Sequence, residues 1–190
     1  MPTLFAAMLS QTCPVCGKKH KHYCPECLVP ILPDTNMGTF LGPMTLPLNV
    51  HLLFKDNRSK ATGLHAKVLA PEYVTVHELH EYKYSIHGLD EASKDCIRKV
   101  PKYAHEEALI VFPSSDSVFI DEVEDLEKVK ILIMIESTWQ KTVKFLEIPQ
   151  VKSLRRVRLR KLPPASYFWR YMPATFSLSS LLLGTLPHYF

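Results

Sequence analysis

The sequence predicts an α/β fold built on a mostly parallel sheet, preceded by a small cysteine-rich metal element. Three observations carry this. Short apolar runs at about 50–54, 106–112 and 129–135 are each bounded by polar residues, with a further candidate strand at 73–79. Helix-like polar patterns lie between them, and apolar strands alternating with helices make parallel sheets covered on both faces. Four of the five cysteines fall within positions 13–27.

The bulk composition fits that class. A chain of 190 residues supplies one ordinary domain with a small appended module. Hydrophobic content of 46% beside 22% charged residues excludes a disordered chain. The net charge of +4 is a mild basic bias whose meaning depends on where the charge sits. No window approaches the roughly 18 apolar residues of a membrane span, so no membrane partner is expected. The opening "MPTLFAAMLSQT" lacks a basic lead-in and reads as neither signal peptide nor anchor.

The first element is "CPVCGKKHKHYCPEC", in which Cys13-x-x-Cys16 and Cys24-x-x-Cys27 are separated by seven residues. Such turns each aim two thiolates at one metal, and two of them complete the tetrahedral shell of a structural zinc. The alternative is four reduced, unliganded thiols. Gly17 suits the tight turn after the first pair. His20 and His22 sit in the basic hairpin "GKKHKH", which faces solvent or phosphate. A clustered, odd-numbered cysteine set argues against disulfides and for a reducing compartment, nucleus or cytoplasm. Cys96 is an ordinary free thiol.

After the 106–112 strand, "SSDSVFIDEVEDLEKV" sets Val118, Phe119, Val123 and Leu126 near helical spacing, with Ser115, Asp116 or Ser117 as the cap. A second helix follows Ser137, carries Trp139, Val143 and Leu146 on one face, and ends near Pro149. In parallel sheets ligands bind outside the carboxyl ends of the strands. Both "FPSSDS" and "ESTW" fall there. Glu136 is either a general base or a helix cap, Ser137 or Thr138 a cap, and Trp139 a stacking surface or core.

In "KSLRRVRLRKL", Arg156, Arg158 and Arg160 alternate with Val157 and Leu159. A strand here shows one apolar face and one guanidinium row. That row either matches nucleic-acid phosphates or protects an exposed edge strand from aggregation. The terminal stretch 172–190 contains no Asp, Glu, Lys or Arg.

Taken together, five segments resemble the DTW-domain proteins, the tRNA-uridine aminocarboxypropyltransferases, and their eukaryotic branch in particular. "ESTW" is similar to the D-x-T-W signature. "CPECLVP" resembles the N-terminal zinc element, "LPLNVHLLFKDNRSKATGLHAKVLAPE" the first strand and its Lys-x-Thr segment, "ALIVFPSSDS" the strand and loop that follow, and "SYFWRY" a downstream aromatic–arginine element. The likeness runs from about Cys13 to Tyr171. It divides the chain into 1–30 with the zinc knuckle, a DTW domain over 31–171, and a divergent tail over 172–190.

The resemblance implies a SPOUT-like, knotted α/β fold that uses S-adenosylmethionine as co-substrate. It also implies transfer of the 3-amino-3-carboxypropyl group to N3 of a uridine in tRNA. Glu136, in place of the family's Asp, would take the N3 proton, with Thr138 and Trp139 matching the signature directly. Pro113, Ser114 and Ser115 would approach the co-substrate, and Arg170 would meet a carboxylate or phosphate. Lys60, Arg155, Arg156, Arg158, Arg160 and the zinc knuckle would hold tRNA. The family's Ser/Thr-Leu-Glu-Ala-type segment is not found after Tyr171, which suggests an alternative chain end. Two further readings stay open: a zinc-containing RNA-binding protein without catalysis, and a zinc-ribbon adaptor for protein partners.

Overall fold

The computed structural model describes residues 10–31 and 43–160. Strand β5 (Asn49–Lys55) is the axis of the fold, because Leu52, Leu53 and Phe54 are fully buried. Burying each such side chain is worth about 1.5–3 kcal/mol. Around it run β6 (Val74–Glu78), β7 (Ala108–Val111), β8 (Val118–Phe119), β9 (Ile131–Ser137) and β10 (Arg155–Arg158). Their order in the sheet is β6-β5-β9-β7-β10-β8, and every pairing is parallel. The four expected apolar runs are thus strands, trimmed, extended or shifted by one or two residues.

The direction in which the connections cross the sheet reverses between β5 and β9. From β5 the chain crosses to β6 on one side, whereas from β9 it passes beyond β7 to β10 on the other. Adjacent strands whose connections diverge leave a crevice at their carboxyl ends, where ligands of open α/β sheets bind. The β5–β9 register sets Phe54 opposite Glu136 and Lys55 opposite Ser137 at that point.

One face of the sheet is covered by α2 (Glu91–Arg98), α3 (Trp139–Phe145) and the short α4 (Pro149–Lys152). There Leu53, Ile110 and Ile133 pack with Cys96, Ile97, Phe145, Leu146 and Ile148. The other face is covered by α1 (Leu64–Leu69) over Val50, Leu52, Phe54 and Met134. Helix α2 was legible as a helix and is absent from the expected elements: Asp90 caps it by accepting from Ser93 N–H at 2.8 Å.

Two expectations are corrected. The acidic stretch forms no α-helix; it starts as strand β8 and continues as 3-10 turns at Ile120–Glu122 and Leu126–Lys128. Ser117 closes a turn instead of capping a helix, its hydroxyl donating to the Ser114 carbonyl at 2.8 Å. On α3 the buried face is Thr142, Phe145 and Leu146, while Val143 is exposed. Pro149 stands at the start of α4, as a residue without an N–H can. The knot expected from the resemblance depends on chain beyond residue 160, outside the described residues. No helix among the described residues is long and apolar enough to cross a membrane.

A polar group lies under α2. His51 Nδ1 sits 2.9 Å from the Tyr103 hydroxyl and 3.1 Å from His77 Nε2. Burial first, then the neighbouring His51, holds the His77 ring down to about 4, and burial lowers His51 too. The unfolded chain therefore takes up these protons near pH 6.5 and the folded chain only further down. Stability is fully present above pH 6.5 and falls as pH drops from there towards 4. Denaturant midpoints measured at pH 7 and pH 5 will show this loss, and His77→Leu will flatten the difference.

Candidate functional site

Glu136 is the last inward-facing residue of β9 and is buried, in register with Phe54. It belongs to the strand, and the position before α3 is held by Thr138, so the helix-cap reading of Glu136 fails. Thr138 is exposed, and its side chain makes no capping hydrogen bond. Its carbonyl accepts from Lys141 and Thr142 N–H, and from the Thr142 hydroxyl at 3.1 Å. The Ser137 hydroxyl instead turns to the Lys55 carbonyl at 3.1 Å and ties the ends of β9 and β5 together. Trp139 opens α3. Pro113, Ser114 and Ser115 follow β7, the neighbour of β9, so both signature loops meet the same edge. Arg170 lies outside the described residues.

The cysteine element folds as two similar turns. In the first, Gly17 N–H bonds to the Cys13 carbonyl at 3.0 Å; in the second, Leu28 N–H bonds to the Cys24 carbonyl at 2.8 Å. Both residues adopt left-handed backbone, at φ 73° and φ 53°. Strands β1 (Gln11–Thr12) with β2 (Lys19–His20), and β3 (Tyr23–Cys24) with β4 (Val29–Pro30), flank the turns. The sulfurs of Cys13, Cys16, Cys24 and Cys27 all lie within 4.8 Å of one another, with Cys16 and Cys24 at 3.6 Å. Four sulfurs about 2.3 Å from a tetrahedral zinc stand about 3.8 Å apart, so the set fits that ion. Val15 N–H donates to Cys13 Sγ and Cys27 N–H to Cys24 Sγ, both at 3.4 Å. Burial opposes ionisation of Cys13, but the Cys16 and Val15 N–H donors and the neighbouring Cys16 and Cys24 thiols outweigh it and bring the thiol to about 7. Burial and the same thiols push Cys27 up to about 12. A cation held between the four sulfurs would stabilise all four thiolates together.

This element sits against the sheet edge. Arg58, three residues beyond β5, donates to the carbonyls of Pro25 at 2.7 Å and Glu26 at 3.2 Å, and pairs with Glu78 at the end of β6. The Tyr23 ring meets the His65 ring of α1 edge-on, with centroids 4.6 Å apart. Burial first, then the charge of Glu136, raises the Tyr23 hydroxyl above its ordinary value. Leu28 packs on the cluster of Val50, Leu52 and Phe54. None of Tyr23, Arg58 or His65 was a candidate from sequence. Arg58 was findable by the rule that picked out "ESTW", since "KDNRSK" also follows a strand.

The arginine row has partners within the chain. Strand β10 lies between β7 and β8 and is not an edge. Arg155 pairs with Asp125, Arg156 sits 3.1 Å from both Asp116 oxygens, and Arg160 pairs with Asp121 and Glu122. Arg158 is exposed and stacks 4.4 Å above the Phe119 ring. The acidic stretch is therefore the counterpart of the basic one. Lys60 and the hairpin residues Lys18, Lys19 and Lys21 are exposed, and no ion pair is formed by them among the described residues.

A profile of the DTW domain matches residues 21–182 of this sequence. The chain belongs to the DTW domain family. The match begins inside the cysteine element, after the first pair, and runs eleven residues past Tyr171, where the sequence likeness was expected to stop. Among curated relatives of this DTW chain, tRNA-uridine aminocarboxypropyltransferase 1 of Xenopus tropicalis is 25% identical over 86% of the chain and 63% of that protein. The Homo sapiens protein of that name is 26% identical over 86% of the chain and 62% of its own length. The Mus musculus protein is 31% identical over 75% of the chain and 40% of its own length. The DTW chain thus spans less than two thirds of these relatives. No solved structure matches it.

Proposed function

We propose that this chain is a tRNA-uridine aminocarboxypropyltransferase, with the crevice at the carboxyl ends of β5 and β9 as its active site. The observation that carries the reading is the buried Glu136 carboxylate at the start of the signature, on the strand where the connections diverge. The co-substrate S-adenosylmethionine supplies an electrophilic methylene beside a sulfonium. A bond forms from uridine N3 to that methylene as its bond to sulfur breaks, and methylthioadenosine leaves. Glu136 takes the N3 proton, and its burial keeps water from competing for the carboxylate. Thr138 offers its uncapped hydroxyl and Trp139 forms a wall. Pro113, Ser114 and Ser115 border the co-substrate from the next loop, and Arg170 neutralises a carboxylate or phosphate. A polar floor with a carboxylate and hydroxyls suits a sulfonium and an amino-acid moiety. The SPOUT-like knot, the division at residues 30 and 171 and a nuclear or cytoplasmic location belong to the same proposal, as does zinc on the four cysteines.

For tRNA, support is strongest where charge is unspent. Lys60, Arg158 and the zinc hairpin engage phosphate directly, and Arg155, Arg156 and Arg160 join by exchanging carboxylates for phosphates. Neutralising Lys18, Lys19 and Lys21 together will lower the slope of log affinity against log salt by about 2, at roughly 0.7–0.9 per contact. Arg156→Gln will change it by less than about 1. Filter binding of tRNA across salt concentrations checks both. The deciding experiment for the reaction is incubation with tRNA and S-adenosylmethionine. Methylthioadenosine and a matching mass gain on uridine are expected. Tight tRNA binding with neither product would instead establish the non-catalytic zinc-containing RNA-binding protein, the reading supported by the exposed lysines of the zinc hairpin and Lys60.

A further inference from the structure

The four-cysteine element and the crevice are not independent parts. We propose that the cysteine element is a fixed wall of the crevice, latched by Arg58 and Leu28, so that metal occupancy controls the order of the residues around Glu136. Arg58 is the positioning residue. Its guanidinium spans the Cys24–Cys27 turn through the Pro25 and Glu26 carbonyls on one side and Glu78 on the other. Those two carbonyls lie between Cys24 and Cys27 in the turn that places both sulfurs in the four-cysteine cluster, so a metal held there would fix the turn that Arg58 grips.

Leu28 supplies an independent sign. It occupies the same place in the second turn that Gly17 holds in the first, with the same backbone bond and the same left-handed conformation. For Gly17 that conformation costs nothing, whereas a leucine is strained in it. The strained residue is the one whose side chain packs on the sheet cluster of Leu52, Phe54 and Met134. A turn serving only the metal has no use for leucine there; a turn that must dock on the sheet does. Tyr23, immediately before Cys24, completes the contact by meeting His65 of α1.

This coupling stands whichever reaction the site performs, and its test reads no activity. Wild type, Arg58→Ala, Arg58→Lys and Leu28→Gly are prepared as full chains, assayed for zinc content, and compared by amide hydrogen exchange before and after chelation. All four are expected to carry one zinc per chain. In wild type, chelation raises exchange over residues 56–66 and 134–138 by about tenfold or more. In Arg58→Ala and Leu28→Gly exchange in those segments is already raised, and chelation adds little. Arg58→Lys keeps the charge but loses the fork that reaches two carbonyls, and falls between. The proposal is overturned if wild type binds no zinc, if its chelation loosens residues 10–31 alone, or if Leu28→Gly, which relieves backbone strain, behaves as wild type. The strain relief in that variant guards against a trivial loss of folding.

Discussion

Replacing Glu136 by Gln leaves the chain folded but lowers methylthioadenosine release by about 10²–10⁴-fold, the usual contribution of a positioned proton acceptor. The substitution keeps the volume of a buried side chain, so no cavity forms to disturb β9 or its seven-residue register with β5. What it removes is the ability to accept the N3 proton as the nitrogen attacks. Binding of S-adenosylmethionine by calorimetry is expected to change little, which separates the loss of chemistry from loss of the site. Glu136→Asp is the informative companion. It restores the residue of the D-x-T-W signature and draws the carboxylate back by one methylene. Activity within about tenfold of wild type is expected, because general-base catalysis tolerates small displacement better than removal. If Gln and Glu turn over alike, Glu136 is structural and the proton leaves by another route.

The sheet was readable because its strands are buried on both faces, and such strands appear as near-continuous apolar runs in "VHLLF", "ALIV" and "ILIMI". The carboxyl-edge placement of "ESTW" followed from that alone. The acidic stretch misled for a definite physical reason. Val118, Phe119, Val123 and Leu126 are spaced like a helix face, but the acids before and among them answer to Arg155, Arg156 and Arg160 some thirty to forty residues later. Cross-chain ion pairing overrode local periodicity, and no window of ordinary length contains both partners. The same pairing turned an apparent phosphate-binding row into a largely neutralised seam. Arg58 and Leu28 were invisible for a related reason. Their roles depend on a docking surface between the cysteine element and the sheet, and the sole local trace is a leucine where the sister turn has glycine. The cysteine spacing was legible because ligand geometry is local.

Helix α3 offers the sharpest test of packing, because sequence pattern and structure disagree about its inner face. Phe145→Ala will destabilise the chain by about 3–5 kcal/mol, the range for deleting a buried aromatic ring. A domain of this kind has about 5–15 kcal/mol in total, so a large part of the margin goes. Phe145 is fully buried, and its ring meets Tyr82 with centroids 5.5 Å apart. Tyr82 in turn donates to the Lys144 carbonyl at 2.8 Å and accepts at its own carbonyl from Lys55. Lys55 is the residue whose carbonyl holds Ser137. The cavity thus opens beneath a chain of contacts that ends beside Glu136. Urea midpoints should fall with little change in slope, and the residual activity at low temperature should lose tolerance to warming before wild type does. Val143→Ala, two residues earlier on the same helix, should stay within about 0.5 kcal/mol, since that side chain is 53% exposed. The opposite ranking would place Val143 on the inner face with Leu146 and rotate α3 about its axis. Thr138 and the start of the helix would then no longer stand where the proposed chemistry requires them.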